Sequence, residues 1–143
     1  MNTILLLLAL SACGGASSPT TPPTTTAAPT PAPAAAPAVA VRSIDVAALK
    51  QAKDAGTVPV LVDVRTPGEF ASGHVPGAQN IPLDTLSGKM AELEAWKSGE
   101  VYVICQSGGR SAQASSSLAK AGFHTVNIQG GTAAWKAAGY PTE

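Results

Sequence analysis

The stretch VYVICQSGGRSAQASSSLAKAGF, residues 101–123, joins an apolar run to a helical pattern through a short loop of glycine and serine. The run is rich in β-branched side chains and does not alternate, which predicts a central strand buried on both faces. It ends at Cys105. A helix is predicted from Ser111 to Ala121, with Ser111 as its N-cap. Cys105 therefore stands where open α/β sheets bind their ligands, at the carboxyl end of a strand.

Strand-like and helix-like segments alternate on both sides of this stretch. VPVLVDV at residues 58–64 and HTVNIQ at residues 124–129 predict two further strands. Helices are predicted over four more segments, residues 45–54, 67–71, 84–97 and 132–138. Thr132 is predicted as the N-cap of the last helix, and Trp96 and Trp135, at helical spacing, as core anchors. The alternation predicts an α/β domain with a mostly parallel central sheet and helices on both faces.

Charged residues are confined to the second part of the chain. The 143 residues include 9 Lys and Arg against 9 Asp and Glu, and the first charged side chain is Arg42. This balance gives no indication of a nucleic-acid partner. The sequence therefore predicts an uncharged N-terminal part followed by one small folded domain over residues 42–143.

Residues 1–12 have the pattern of an export signal. Their apolar core, ILLLLAL, is shorter than the roughly 20 residues that a membrane-spanning helix needs but fits a signal peptide. LSAC at residues 10–13 resembles the lipobox of bacterial lipoproteins, which implies cleavage before Cys13 and a lipid on that cysteine. A plain secretory signal cleaved near Ala12 or Ala16 is the alternative. The protein is expected to be exported as a periplasm-facing or cell-surface lipoprotein, anchored to a membrane through Cys13.

Residues 13–41 are predicted to form a disordered tether. From Gly14 onward they contain no charged and no aromatic residue, and proline is frequent. Such a composition cannot bury enough apolar area to offset the entropy of ordering the chain. A tether of this length would hold the domain clear of a membrane surface.

The loop QSGGR that follows Cys105 is suited to stabilise an anion. Gly108 and Gly109 can adopt positive φ, which turns several backbone N–H groups toward one point, and the N-terminus of the next helix adds to the same field. A thiolate in such a site has a lowered pKa and is a nucleophile. The alternative is a buried, inert thiol at the end of a core strand. The glycines and Arg110 suit a pocket better than a sealed core, so the loop favours the nucleophile.

Three motifs lie in order along the predicted domain. They are LVDVRTPGEFASGHVPGAQNIPL at residues 61–83, CQSGGRS at residues 105–111 and GGTAAWKAAGYP at residues 130–141. They resemble the motifs of the rhodanese family, sulfurtransferases that carry sulfur as a cysteine persulfide, and they cover essentially the whole domain. The resemblance implies a single rhodanese domain with a three-layer α/β fold.

The resemblance also implies roles for the loop residues. Cys105 would attack a sulfane sulfur, in thiosulfate or in a persulfide or polysulfide, and hand it to a thiol or to cyanide. The residues expected to bind the donor are Gln106, Ser107, Gly108, Gly109, Arg110 and Ser111. The expected partners are small sulfur-containing anions or persulfides and a thiol acceptor, either a small molecule or a protein. No metal ion and no organic cofactor is expected.

Charged side chains of the first motif are predicted to support the site rather than to react. Asp63, Arg65 and Glu69 are expected to form one ion-pair network that fixes the loops near the cysteine. His74 lies in a turn sequence and is predicted to be structural. His124 is predicted to be a surface residue at the start of a strand.

Several alternatives stay open at this point. Phosphatases of the related fold use a loop one residue longer than residues 105–110, which disfavours phosphatase activity by analogy. Arg110 would either contact an anionic donor or brace the loop by pairing with a carboxylate. Gln106 and Ser107 are neutral, which predicts that the dianion thiosulfate is a weaker donor than persulfides or polysulfides. A non-enzymatic sulfur carrier or protein-binding module is the alternative to an enzyme, and the intact cysteine loop favours the enzyme.

Overall fold

One parallel sheet organises the chain between residues 41 and 143, which are the residues that the structure, a computed structural model, describes. Its strands, in chain order, are β1 Val41–Ile44, β2 Val60–Asp63, β3 Gln79–Asn80, β4 Glu100–Ile104 and β5 His124–Ile128. Their order across the sheet is β1-β5-β4-β2-β3, and every neighbouring pair is parallel. β4 is therefore the central strand, flanked by β5 on one side and β2 on the other.

Helices cover both faces of this sheet. The α-helices of the described region are α1 Val46–Asp54, α2 Pro67–Ala71, α3 Leu83–Lys89, α4 Gly109–Lys120 and α5 Gly131–Ala137. Leu49 of α1 and Trp135 of α5 are buried in one core cluster. Leu86 of α3 and Leu118 of α4 are buried in the other. The predicted three-layer α/β fold, with a central parallel sheet between helices, is confirmed.

The two core clusters explain why the central strand does not alternate in polarity. Val101 and Val103 of β4 pack on the side of α3 and α4, whereas Tyr102 and Ile104 pack on the side of α1 and α5. All four are buried, as expected for a parallel strand covered on both faces. Cys105 continues the first set, so its side chain lies on the α4 side of the sheet.

Two strands of the sheet were not predicted. β1 is an edge strand with the sequence VRSI, and most of its side chains are exposed, so it carries no burial pattern. It is held by pairing with β5. β3 contains only Gln79 and Asn80, of which asparagine is a poor strand former, and pairs with the end of β2. In both cases the neighbouring strand imposes the extended conformation.

The helix predicted over residues 84–97 is divided in the structure. α3 ends at Lys89, and after a turn the chain forms a separate 3₁₀-helix, Glu94–Ser98. Ser87 and Gly88 are weak helix formers, which favours an early end of α3. The tighter turn, with the Trp96 N–H donating to the Leu93 carbonyl at 2.8 Å, lets Trp96 pack half-buried against the core cluster of α3 and α4.

The two predicted N-caps, Ser111 and Thr132, are wrong. α4 begins at Gly109 after Gly108, which has φ 107°, and α5 begins at Gly131 after Gly130, which has φ 76°. These left-handed residues turn the chain into each helix earlier than the serine and threonine signals indicated. Both hydroxyl side chains thereby become part of the site described below.

Of the remaining predictions, the one for Trp135 is tested by the structure and those for residues 1–41 are not. Trp135 is fully buried and its Nε1 donates to the Pro141 carbonyl at 2.7 Å, which confirms it as a core anchor. The export signal over residues 1–12, the lipidated Cys13 and the tether over residues 13–41 lie outside the described residues. Within the described region, no helix has the length and apolar character needed to cross a membrane.

Candidate active site

Cys105 directly follows the central strand and is almost fully buried, with 1% of its surface exposed. Its thiol Sγ accepts a hydrogen bond from the Gly108 N–H at 3.1 Å. The loop therefore curls back over the sulfur within three residues before α4 begins at Gly109. This places the N-terminus of a helix of three turns beside the sulfur, where its partial positive charge stabilises an anion.

The carbonyl groups of the loop are turned away from the sulfur by α5. The Thr132 N–H donates to the Cys105 carbonyl at 2.8 Å and the Ala133 N–H to the Gln106 carbonyl at 3.0 Å. The Thr132 hydroxyl reinforces the first of these bonds at 3.2 Å. Because the N–H and C=O of a trans peptide point in opposite directions, the N–H groups of Gln106 and Ser107 point away from α5. The loop thus exposes donors and hides acceptors.

Close contact between the loop and α5 requires a glycine at position 131. Gly131 has φ 57°, and a Cβ built on it would lie 2.3 Å from the Cys105 carbonyl oxygen. Any side chain would therefore push the loop off the helix N-terminus. This contact explains the second of the two glycines that begin the third sequence motif, although it lies far from Cys105 in sequence.

The surroundings of the thiol favour its ionised form. Burial raises the pKa of Cys105, but the polar groups around the sulfur, which are the Ser111 hydroxyl and the backbone N–H groups of Ser111, Gly108 and Ser107, lower it by more. The net effect is a pKa below the ordinary thiol value. A larger fraction of Cys105 is therefore thiolate at neutral pH, and the thiolate is the nucleophilic form.

Ser111 is held by a buried residue that the sequence analysis did not single out. Its hydroxyl lies 2.6 Å from Oδ1 of Asn127 and 3.0 Å from the Gly108 carbonyl. Asn127 is a buried amide and the fourth of the five residues of β5. A polar residue inside an otherwise apolar strand, as in TVNI, is the signal that could have identified it. Its position fixes the Ser111 hydroxyl next to the sulfur.

Arg110 and Glu69 form a bidentate ion pair at the rim of the loop. The Nη1 and Nη2 atoms of Arg110 donate to Oε2 and Oε1 of Glu69 at 2.8 and 2.7 Å. The arginine lowers the pKa of the Glu69 carboxyl from 4.5 to about 2. Of the two roles left open for Arg110, the structure shows pairing with a carboxylate. This pair joins the loop to α2.

Asp63 and Arg65 form a second, separate pair below the loop. The Arg65 guanidinium donates to both Asp63 oxygens, at 2.7 to 3.0 Å, and to the Gly73 carbonyl at 3.1 Å. Both side chains are buried, and a longer contact of 3.4 Å joins Arg65 to the Gln106 amide oxygen. The single network expected for Asp63, Arg65 and Glu69 is thus divided between two pairs.

Comparison with known proteins assigns this arrangement to a family. The family model of the rhodanese-like domain matches residues 45–138. The chain belongs to the rhodanese-like family. A sulfurtransferase of Allochromatium vinosum is 37% identical over 102 residues, covering 71% of this chain and 94% of the relative. A putative sulfurtransferase of Bacillus subtilis is 38% identical over 96 residues, covering 67% of this chain and 91% of the relative.

A solved structure agrees with these sequence relatives. The rhodanese-related protein of Thermoplasma volcanium matches with a TM-score of 0.65 and 34% identity, over 71% of this chain and 97% of that one. The described region therefore contains a single rhodanese domain. Membership of this family supports sulfurtransferase activity in general terms.

The rhodanese loop collects most of the residues that the sequence singled out. Backbone and side-chain contacts bring together Cys105, Gly108, Arg110 and Ser111, while Gln106, Ser107 and Gly109 form its exposed part.

The contacts of the two histidines lie outside the Cys105 loop. His74 stacks on Phe70, with ring centroids 3.7 Å apart, and its backbone exchanges two hydrogen bonds with Glu143. His124 begins β5, at the amino ends of the strands, and is half-buried, whereas Cys105 follows the carboxyl end of β4. In residues 41–143, no group of three His, Cys, Asp or Glu side chains is arranged to hold a metal ion.

Proposed function

We propose that this rhodanese domain transfers sulfane sulfur through a persulfide on Cys105. The observation that carries the proposal is the position of the Cys105 sulfur, 3.1 Å from the Gly108 N–H and beside the start of α4. Donors that stabilise a thiolate can stabilise equally the terminal anion of a persulfide. The lowered pKa of the thiol supplies the nucleophile without a separate general base.

The reaction has two displacement steps. In the first, the Cys105 thiolate forms an S–S bond to the sulfane sulfur of a donor such as thiosulfate, a persulfide or a polysulfide. The S–S bond of the donor breaks, and its electron pair leaves with sulfite or with the remaining thiolate. In the second, a thiolate or cyanide attacks the outer sulfur, and the electron pair of the broken bond returns to Cys105. The enzyme is regenerated without net oxidation or reduction.

The orientation of the loop peptides favours the binding of an anionic donor in the first step. Because α5 binds the carbonyls of Cys105 and Gln106, the opposite N–H groups remain free to face a bound anion. Arg110 contributes less charge than its sequence position indicated, because Glu69 already pairs with it. The backbone therefore provides most of the binding field in this proposal.

Steady-state thiocyanate formation from a sulfane donor and cyanide tests the proposal. Wild-type protein should turn over, whereas Cys105→Ser should lose activity by at least about a thousandfold because the nucleophile is removed. Ser116→Ala, an exposed position of α4 outside the loop, serves as the matched control and should keep most of the activity. Equal rates for wild type and Cys105→Ser would refute the persulfide route. A wild type that binds sulfur but never releases it would assign the domain to the non-enzymatic sulfur carriers.

We also propose that the protein is an exported lipoprotein anchored through Cys13. The support is the signal-like sequence of residues 1–12 followed by LSAC at residues 10–13. In its native host, the wild type should fractionate with membranes, and Cys13→Ala should not. Membrane association that survives Cys13→Ala would contradict the lipid anchor and favour another mode of attachment.

A further inference from the structure

The described guanidinium groups at the rhodanese loop are both already paired with a carboxylate. Arg65 is paired with Asp63 beneath the loop, and Arg110 is paired with Glu69 at its rim. Each pair has a net charge of zero. An anionic donor that approaches Cys105 therefore meets backbone N–H groups and a helix N-terminus rather than a free cation from these two arginines.

Glu69 is held in position independently of Arg110. It is the third residue of α2 and closes a capping box: its Oε2 accepts from the Thr66 N–H at 3.1 Å and from the Thr66 hydroxyl at 2.9 Å. The Thr66 hydroxyl in turn accepts from the Glu69 N–H. The contacts within α2 therefore fix the carboxylate without any contribution from Arg110. It stays ionised near neutral pH, since Arg110 and the two hydrogen bonds from Thr66 lower its pKa to about 2.

We propose that Glu69 is a specificity-determining residue that neutralises Arg110 and so directs the site toward sulfane donors with one negative charge, disfavouring the dianion thiosulfate. Persulfides and polysulfide chain ends belong to the favoured class. The proposal rests on the persulfide function proposed above. The physical reason is that a second negative charge on the donor is stabilised only by a cation whose own charge is uncompensated.

Two donors of nearly equal shape isolate the effect of charge. Thiosulfate and methanethiosulfonate both present a terminal sulfane sulfur, but a methyl group in the second replaces one charged oxygen of the first. In each case the Cys105 thiolate forms an S–S bond to that sulfur. The donor S–S bond breaks, and the electron pair leaves with sulfite or with methanesulfinate. Cyanide then removes the outer sulfur as thiocyanate. The ratio of kcat/KM for the two donors measures the preference for a dianion.

Glu69→Gln frees the charge of Arg110 with little disturbance of α2. Glutamine also serves as the third residue of a capping box. The NH₂ group of this glutamine faces one of the guanidinium N–H groups, so the bidentate pair with Arg110 is broken. The ratio of thiosulfate to methanethiosulfonate should rise about tenfold in this variant. The rise should shrink at high salt, because the pair is half-exposed.

Two further variants extend the test to a series of charges. Arg110→Met leaves Glu69 uncompensated, so the ratio should fall below that of the wild type. Glu69→Gln combined with Arg110→Met is neutral again and should return the ratio to about the wild-type value. Glu94→Gln removes a carboxylate paired with Lys97 in the 3₁₀-helix before β4, at the opposite end of the central strand, and controls for net charge.

The outcomes separate this inference from the proposed function. A ratio that follows the charge of the pair, from Arg110→Met through the wild type to Glu69→Gln, supports the specificity role. A wild type that produces thiocyanate while the ratio stays constant across the series overturns the role of Glu69 and leaves the persulfide function intact. A wild type that transfers sulfur from neither donor overturns both.

Discussion

Two arginine–carboxylate pairs support the same loop in different environments. Asp63–Arg65 lies below the loop, with both side chains at most 2% exposed, whereas Glu69–Arg110 lies at the rim with 35% and 37% exposed. A buried charge that loses its partner is very costly, because the protein interior solvates it poorly. A half-exposed charge that loses its partner is solvated by water and costs little. The inner pair therefore maintains the scaffold, and the outer pair is free to set the charge of the site.

The largest contrast is expected in stability. Arg65→Met leaves the Asp63 carboxylate buried and unpaired and should lower the free energy of unfolding by about 3 to 5 kcal/mol. Its guanidinium also holds the Gly73 carbonyl, so the loop of residues 72–77 should loosen. Urea denaturation followed by circular dichroism measures the loss.

Arg110→Met is the matched control for this stability measurement. It removes the same charge and the same side chain as Arg65→Met, from the other pair that supports the loop, yet it should cost less than about 1 kcal/mol. Equal losses for Arg65→Met and Arg110→Met would show that burial does not distinguish the two pairs.

A smaller effect is expected from acid on the outer pair. The folded protein lowers the pKa of Glu69 from 4.5 to about 2, so its charge stabilises the fold at pH values above 4.5. As the pH falls from 4.5 through 2, the unfolded chain takes up the proton first and this contribution is lost. The stability difference between wild type and Glu69→Gln should therefore be below about 1 kcal/mol near neutrality and should decline in acid. Urea denaturation at neutral pH and near pH 3 measures it, and a pH-independent difference would argue against the lowered pKa.

The smallest effect concerns a neutral partner of the sulfur. Ser111→Ala removes a hydroxyl that lowers the pKa of Cys105, so the pKa should rise and activity near neutral pH should fall severalfold. Thiolate absorbance near 240 nm, followed against pH, gives the titration directly. Ser116→Ala on the exposed side of the same helix is the control. If the pKa of Cys105 is the same in Ser111→Ala as in the wild type, then the Ser111 hydroxyl does not stabilise the thiolate.

The sequence was sufficient for the fold because the central strands and most helices carry local patterns. The apolar runs ending near Asp63 and Cys105 and the helix before Gly122 all predicted their elements. The sequence was insufficient where neighbours determine the conformation. β1 and the two residues of β3 are extended because β5 and β2 pair with them, and no propensity of their own reveals this.

The residues of the candidate site could be named from the sequence, but the contacts among them could not. Cys105 and its loop were identified from the strand, the glycines and the family motifs. The pairing of Glu69 with Arg110, across 41 positions of sequence, depends on how α2 meets the loop and was not predictable from spacing. The contact of Gly131 with the Cys105 carbonyl and the role of Asn127 beneath Ser111 likewise arise from packing between distant segments.

The most direct test of the central claim is the intact mass of the full chain after incubation with thiosulfate and, separately, with a polysulfide. Peptide mapping then locates any added sulfur. The account predicts a gain of one sulfur atom on Cys105, absent from Cys105→Ser. A gain that persists in Cys105→Ser, or no gain from either donor, would contradict a persulfide carrier at Cys105.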